Sequence, residues 1–245
     1  MSAKKRLDLL LVERGLAETR SQAQALVLAG RVRGHTKAGE RVDESAELEL
    51  APGARFVSRG GEKLAGALEE LGVDVTGQHC LDVGASTGGF TDCLLQAGAA
   101  RVIALDVGYG QLHPKLRDDP RVTVLERTNV RALSCDDLAF RPTFVVCDVS
   151  FIGLAKALPP ALACAAPGWR ALVLVKPQFE AGPADVGKGG VVRDPEVQRR
   201  VVEEVVGRAP EWGAQALGVA ESPVLGPKGN REFFVQLADA GRERA

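Results

Sequence analysis

The stretch CLDVGASTGGF, residues 80–90, runs from an apolar segment into a turn of small residues. Gly84, Gly88 and Gly89 allow the backbone to turn sharply and to approach a ligand closely, and amide groups at the start of a following helix can face that ligand. Their spacing is G-x-x-x-G-G, whereas dinucleotide sites have a second glycine two residues after the first. The stretch therefore predicts a strand, a turn and a helix, and it favours a ligand other than a dinucleotide.

Acidic residues around this turn indicate the ligand. The longer pattern D-x-G-x-x-x-G-G, which starts at Asp82, is typical of S-adenosylmethionine-binding proteins with a Rossmann-like fold. Asp106 ends the next apolar segment about 20 residues later, where an acceptor-only carboxylate suits two ribose hydroxyls. A tight turn without a ligand and a nicotinamide site are the alternatives. The residues expected to bind S-adenosylmethionine are Asp82, Gly84, Ala85, Ser86, Thr87, Gly88, Gly89, Phe90, Asp106, Val107, Asn129 and Asp148.

Apolar segments alternate with helical patterns from residue 62 onward. Strands are predicted at residues 79–83, 101–106, 121–126, 143–148, 170–175, 214–220 and 231–237. Helices are predicted at residues 62–71, 89–97, 111–117, 153–165 and 195–208. This alternation favours a mostly parallel sheet covered by helices on both faces. The predicted fold class is α/β, with a seven-stranded Rossmann-like sheet of the S-adenosylmethionine-dependent methyltransferase type.

The first 52 residues have a different organisation. A helix is predicted over residues 6–16 with Gly15 as its C-terminal cap, and a second over 20–29, capped by Thr19 and ended by Gly30. Short strands at 31–33 and 46–50 flank a turn-rich stretch, 34–43. The expected domains are a small N-terminal domain at residues 4–52, a linker at 53–61 and a larger domain at 62–240.

Composition limits the possible classes of protein. The 245 residues are 45% hydrophobic and 26% charged, with a net charge of −1, which is ordinary for a globular protein. The first 60 residues are mildly basic, with 11 Lys and Arg against 8 Asp and Glu. The five cysteines lack metal-ligand spacing, so we expect free buried thiols, no metal site and a cytoplasmic location. Neither a signal peptide nor a membrane-spanning segment is predicted.

Four polar residues fall where catalysis is expected. Asp148 and Lys176 follow strongly apolar strands, whose carboxyl ends face the ligand crevice of a parallel sheet. Glu232 starts the last strand and would share that edge if the strand is antiparallel. Lys63 lies on the helix before the glycine-rich strand, where a solvated side chain is the simpler interpretation. Lysine normally titrates near ~10.4, so a lysine base needs burial or nearby cations to lower its pKa.

Several longer motifs carry a resemblance to a known family. They are SRGGEKL (58–64), LDVGASTGGFTD (81–92), ALDVGYGQL (104–112), CDVSFI (147–152), VKPQFEAG (175–182), VGKGGVVRD (186–194) and GPKGNREFF (226–234). Through them the chain, from residue 4 to about 237, resembles the TlyA family of ribosomal RNA 2′-O-methyltransferases, historically labelled hemolysins.

The resemblance implies a function and a catalytic set. It implies methylation of a ribose 2′-hydroxyl, usually of a cytidine in ribosomal RNA, by a Lys-Asp-Lys-Glu tetrad of the FtsJ-like kind. The tetrad falls on Lys63, Asp148, Lys176 and Glu232. By analogy Lys176 accepts or relays the hydroxyl proton, the two carboxylates position the lysines, and Lys63 orients the ribose.

The N-terminal domain resembles the S4-like RNA-binding module through residues 6–8, 19–23 and 30–32. Basic side chains there can meet phosphates, which positions an enzyme without selecting a base. The residues expected to contact RNA are Arg6, Arg20, Arg31, Lys4, Lys5 and Lys188; for Lys4 and Lys5 a solvated terminus is equally consistent. The partner is then ribosomal RNA or a ribosomal subunit, and we expect a monomer.

Aromatic residues offer further contacts to a base. Phe90, Phe151 and Phe179 are candidates for stacking, with core packing the better interpretation for Phe151. The glycine-rich stretch 182–190 is a candidate loop over the substrate.

Other functions stay open at this point. They are a non-catalytic RNA-binding factor, a membrane-active hemolysin, which would need an amphipathic or spanning segment, and a base methyltransferase. The last is disfavoured because residues 148–151, DVSF, lack an Asn-Pro-Pro-Tyr-like motif.

Overall fold

The computed structural model describes residues 4–28, 31–51 and 53–241, and the chain divides into two units, Met1–Arg55 and Phe56–Ala245. The first unit contains, in chain order, β1 (Lys4–Arg6), α1 (Leu7–Glu13), α2 (Arg20–Leu28) and β2 (Arg41–Asp43). Gly15 follows α1 with φ +68°, and the Thr19 hydroxyl accepts a hydrogen bond from the Gln22 amide at 3.1 Å. Both caps were predicted, and both are confirmed.

The strands of the first unit differ from the prediction. β1 and β2 pair antiparallel, with Lys5 opposite Val42, so β2 lies in the stretch predicted as turns. In place of strands at 31–33 and 46–50 there is one bridge, between Val32 and Leu50. β2 has three residues, of which only Val42 is buried. One buried residue cannot show the alternation of apolar and polar residues that predicts a strand. The predicted helix end at Gly30 and the predicted end of the N-terminal domain at residue 52 lie outside the described residues.

The second unit contains a sheet of seven strands. They are β3 (His79–Val83), β4 (Arg101–Leu105), β5 (Val122–Leu125), β6 (Phe144–Cys147), β7 (Arg170–Val175), β8 (Ala214–Glu221) and β9 (Phe233–Asp239). Their order across the sheet is β5-β4-β3-β6-β7-β9-β8. The first five strands in this order are parallel, whereas β9 pairs antiparallel with both β7 and β8. The predicted mostly parallel sheet is therefore confirmed.

Helices cover both faces of this sheet. They are α3 (Arg59–Glu70), α4 (Gly89–Gln96), α5 (Pro114–Arg117), α6 (Leu154–Ala163), α7 (Pro177–Glu180) and α8 (Pro195–Arg208). Neighbouring strand residues face opposite layers: Leu81 and Val83 pack in the core with α6 and α8, and Cys80 packs in the core with α3 and α4. This two-sided burial explains the continuous apolar strands of the sequence.

Helix α3 begins at Arg59, three residues before its predicted start and inside the stretch predicted as a linker. Two glycines in its first turn disfavour a helix locally. Gly61 nevertheless lies against the ring of buried Phe56, and a Cβ there would stand 2.2 Å from Phe56 Cγ. Tertiary packing therefore overrides the low helix propensity of these glycines. Lys63 is the fifth residue of α3 and so lies in its second turn.

The cysteine prediction is partly wrong. Cys135 and Cys164 form a disulfide, with a Cα–Cα distance of 4.9 Å, and Cys80, Cys93 and Cys147 are free and buried. The disulfide joins a 3₁₀ turn before β6 to the end of α6. The two cysteines are 29 residues apart in the chain, so only the packing of α6 brings them together.

Candidate active site

The carboxyl ends of β3, β4 and β6 open into two adjoining clefts. The larger, of about 630 Å³, is lined by residues that include Gly84, Asp106, Asn129 and Asp148. The smaller, of about 260 Å³, also contacts Gly84 and Asp148 and adds both lysines of the predicted tetrad. This edge of a parallel α/β sheet is the usual place for a ligand.

The turn after β3 brings two strand ends into backbone contact. Gly84 has φ +86°, and a Cβ at this position would stand 2.4 Å from the carbonyl oxygen of Asp148. No other residue fits there without displacing β6, so this glycine serves the packing of the protein backbone itself. Gly88 has φ +95° and directly precedes α4. The turn thus has a fixed shape before any ligand is considered.

Asp106 is held by the backbone on both of its oxygens. Oδ2 accepts a hydrogen bond from the Ser86 amide, and Oδ1 accepts one from the Gly108 amide, both at 2.7 Å. The carboxylate therefore has a fixed orientation in the wall of the larger cleft. Val107 and Asn129 line the same cleft, and Asn129 Oδ1 accepts a hydrogen bond from the Arg131 amide at 3.1 Å.

The remaining predicted cofactor residues divide into three groups. Ser86 lines both clefts, and the smaller cleft is also lined by Ala85, Thr87, Gly89 and Phe90. Asp82 and Gly88 line neither cleft. Asp82 is fully buried and accepts a hydrogen bond from the Thr91 hydroxyl at 2.7 Å. Burial raises the pKa of Asp82 to about 7, and the nearby Asp148 carboxylate adds to this shift.

The four tetrad residues meet as two ion pairs. Lys176 Nζ lies 2.5 Å from Asp148 Oδ1, and Lys63 Nζ lies 2.5 Å from Glu232 Oε2. The Glu232 side chain is fully buried, and the two lysine side chains are about one-tenth exposed. Buried charges of this kind need partners, because leaving one unpaired is strongly destabilising.

Strand register explains how four distant residues come together. Val175 is opposite Phe233 in the β7–β9 pair, so Lys176 after β7 and Glu232 before β9 leave the sheet at the same edge. The last strand is antiparallel, so the condition under which the sequence placed Glu232 at this edge is met. Lys63 reaches the edge from α3 and is buried, so the solvated alternative is wrong.

Two polar residues of the site were missed in the sequence. The Lys176 amine donates a hydrogen bond to the Ser150 hydroxyl at 3.0 Å, and Gln178 donates one to Glu232 at 3.3 Å. Both lie within two residues of a tetrad member, in CDVSFI and VKPQFEAG, and this proximity was the available signal.

Phe151 is 92% exposed, so its predicted core packing is wrong. It lies in the turn between β6 and α6 with φ +65°, a conformation that bulky residues rarely adopt. Its ring is 5.2 Å from that of Phe179, and Lys176 Nζ is 5.8 Å from the Phe179 ring. An aromatic pair, of which Phe151 is exposed and Phe179 half-buried, therefore stands beside the tetrad.

Two of the predicted RNA contacts of the first unit, Arg6 and Arg20, pair with a buried acid. Arg6 and Arg20 each bind the Asp8 carboxylate at 2.9 Å, and their side chains are about half exposed. The Arg6 guanidinium holds the pKa of Asp8 well below its usual range. Lys5 pairs with Glu13 at 2.5 Å, Arg31 donates to the Ala51 carbonyl at 2.8 Å, and Lys4 is exposed. In the second unit, Lys188 is exposed in a loop closed by the Gly187–Val191 bridge.

Comparison with known proteins agrees with both units. The sequence matches the FtsJ-like methyltransferase family over residues 56–238 and the S4 domain over residues 5–33. A Mycobacterium tuberculosis relative, 16S/23S rRNA (cytidine-2'-O)-methyltransferase TlyA, is 49% identical over 97% of this chain and 91% of its own. The chain belongs to the TlyA family of FtsJ-like methyltransferases. The resemblance seen in the sequence is thus confirmed.

Other TlyA-family relatives carry a different name. Hemolysin A of Brachyspira hyodysenteriae is 39% identical over 95% of this chain and 99% of its own. A solved structure from Streptococcus thermophilus, also named as a hemolysin, has a TM-score of 0.75 and 42% identity, covering 98% of this chain and 90% of that one. Within the described ranges, none of the helices has the length and apolar character needed to cross a bilayer.

Proposed function

We propose that this TlyA-family protein uses S-adenosylmethionine to methylate a ribose 2′-hydroxyl, of a cytidine in ribosomal RNA. The observation that carries the proposal is the pair of buried lysine–carboxylate contacts beside the smaller cleft, which both lysines line. The name of the M. tuberculosis relative supports the choice of hydroxyl and RNA.

The larger cleft fits the proposed cofactor. Its volume of about 630 Å³ is within the usual ~300–1,000 Å³ of small-molecule sites. Asp106 supplies an oriented acceptor for ribose hydroxyls, and Gly84 and Ser86 of the turn after β3 line the same cleft. When bound, S-adenosylmethionine supplies a methyl group already activated by its sulfonium.

The protein then has to position the hydroxyl and remove its proton. Lys176 is the proposed acceptor of that proton. Its ammonium, which pairs with Asp148 in the resting protein, first releases a proton to solvent, and the neutral amine then accepts the hydroxyl proton. Asp148, 2.5 Å from its amine, stabilises the ammonium that forms, and Ser150 fixes the direction of the amine. Lys63 orients the ribose, and Glu232 holds Lys63 in place.

The first unit supplies the RNA contacts in this proposal. Arg6, Arg20 and Arg31, with Lys4 and Lys5, meet phosphates, while Lys188 contacts RNA from the second unit and Phe151 stacks on a base. The domains are those of the sequence interpretation, 4–52 and 62–240, except that the predicted linker 53–61 ends earlier, because α3 begins at Arg59. We further propose that the protein acts as a monomer in the cytoplasm, where ribosomal RNA is found.

The test is methyl transfer from labelled S-adenosylmethionine to purified ribosomal subunits. We compare the wild type, Lys176→Ala and, as a lysine control outside both clefts, Lys115→Ala. Labelling should fall at least ~100-fold only in Lys176→Ala, with cofactor binding retained. The modified nucleotide should resist alkaline cleavage on its 3′ side.

Two outcomes would overturn the proposal. Labelling of a base in place of a ribose would assign the site to another reaction. RNA binding without any cofactor binding would make the protein a non-catalytic factor.

A further inference from the structure

Glu232 has a second partner besides Lys63. Its Oε2 contacts the Lys63 amine at 2.5 Å, and its Oε1 accepts a hydrogen bond from Gln178 Nε2 at 3.3 Å. Because the Glu232 side chain is fully buried, neither oxygen has access to solvent. Gln178 therefore donates to an acceptor whose burial without a donor would be destabilising.

The loop before β9 closes tightly around the same oxygen. A Cβ at Gly226 would stand 2.0 Å from Glu232 Oε1, so only glycine leaves room for the carboxylate. Asn230 holds this loop, because its carbonyl accepts from the Gly226 amide at 2.8 Å and its side-chain amide donates to Gly190 at 3.0 Å. The Gly226 backbone thus limits where the carboxylate can lie, and Lys63 and Gln178 are the side chains that donate to it.

The side-chain oxygen of Gln178 is in an unfavourable environment. Its Oε1 is buried and has no hydrogen-bond partner in the described part of the protein. Turning the amide over would place this oxygen against the Glu232 carboxylate, so the donor orientation is fixed by charge. An unsatisfied buried acceptor is uncommon in proteins and often accompanies a functional constraint.

The place of Gln178 in the chain links the two ion pairs. It lies two residues after Lys176, in α7, and it touches the carboxylate that holds Lys63. An amide donates a hydrogen bond without adding charge. A carboxylate at this position would repel Glu232, and a cation would compete with Lys63 for it.

We infer that Gln178 is a positioning residue of the methyl-transfer site, which acts through Glu232 to set the orientation of Lys63. This inference rests on the proposed function. It predicts that loss of the donor impairs the chemical step and leaves cofactor binding in the larger cleft intact, because Gln178 does not line that cleft.

The first test compares wild type, Gln178→Leu and Gln178→Glu in methyl transfer between pH 6 and 9. Gln178→Leu should lower kcat roughly tenfold at every pH, with an unchanged KM for S-adenosylmethionine. In Gln178→Glu, one of the two facing carboxyls binds a proton as the pH falls, which restores a donor. Its activity relative to wild type should therefore rise toward low pH.

The results separate this inference from the proposed function. Suppose that the wild type is active. The role of Gln178 alone is then overturned if the activity of Gln178→Glu relative to wild type does not change with pH, or if Gln178→Leu has an unchanged kcat. An inactive wild type would overturn the proposed function. In that case a double-mutant cycle of Gln178→Leu with Glu232→Gln in urea unfolding still decides the contact: non-additive effects support it, and additive ones reject it.

Discussion

Gly84 and Asp148 meet backbone to backbone, with only 2.4 Å between the position of a Cβ on Gly84 and the carbonyl oxygen of Asp148. The turn that faces the larger cleft and the residue that pairs with Lys176 are thus one packed unit. A change in either will move the other.

Gly84→Ala tests this coupling. The substitution adds the backbone strain of φ +86° to the clash with Asp148, so we expect a loss of about 2–4 kcal/mol in unfolding free energy, together with weaker cofactor binding. Gly72→Ala is the matched control, because Gly72 has φ +61° and nothing within 4 Å. Urea unfolding of both variants should show only the smaller, strain-related loss for Gly72→Ala. Equal losses would mean that the contact with Asp148 is unimportant.

Asp82 should make stability depend on pH. Its pKa is raised from an ordinary 3.8 to about 7 in the folded protein, chiefly by burial. The folded state then binds more protons than the unfolded state between about pH 4 and 7, so this group's contribution falls as the pH rises through that window and is constant above it. Asp82→Asn removes the titration while keeping an acceptor for Thr91. The unfolding free energy of wild type relative to Asp82→Asn should decline from pH 4 to 7. A difference in unfolding free energy that does not change with pH would contradict the raised pKa of Asp82.

The Cys135–Cys164 disulfide should stabilise the second unit. It closes a loop of 29 residues, for which chain entropy predicts about 3.6 kcal/mol. Reductant should lower the thermal midpoint of wild type and leave that of Cys135→Ser unchanged. Peptide mapping without reductant should find the two cysteines linked. A reductant effect of equal size in Cys135→Ser would assign it to another group.

Arg20 should contribute one phosphate contact to RNA binding. Its side chain is half exposed and is held by buried Asp8, so the guanidinium is already oriented. Arg20→Gln should weaken binding to ribosomal RNA and reduce the slope of log affinity against log salt by about 0.7–0.9. Arg199→Gln, on the exposed face of α8, serves as the control. An unchanged salt slope in filter binding would remove Arg20 from the RNA interface.

The sheet could be predicted from the sequence because its signals are long and local. The central strands are apolar on both faces, and each is followed by a helix, so β3 and β7 were predicted with their observed bounds. The same logic placed Asp148, Lys176 and Glu232 at one edge, since strand ends are fixed by topology. Lys63 required the family resemblance, because a lysine in a helix gives no sign of burial.

What the sequence missed depends on contacts between distant segments. Gln178 and Ser150 are ordinary polar residues until Glu232 and Lys176 are brought to them. Phe151 was expected to pack in the core, yet it lies in a turn with a positive φ and is exposed. The Cys135–Cys164 link likewise depends on the packing of α6 and has no spacing signature.

The two ion pairs of the site have a further consequence. Two ammonium groups and two carboxylates cancel, so this cluster is electrically neutral at the point where a ribose would enter. A phosphate gains no long-range attraction from it, and a nucleic acid must be held by charges elsewhere on the protein. Ionic strength should therefore govern capture of the RNA, whereas the rate of transfer from an already bound complex should be nearly indifferent to salt.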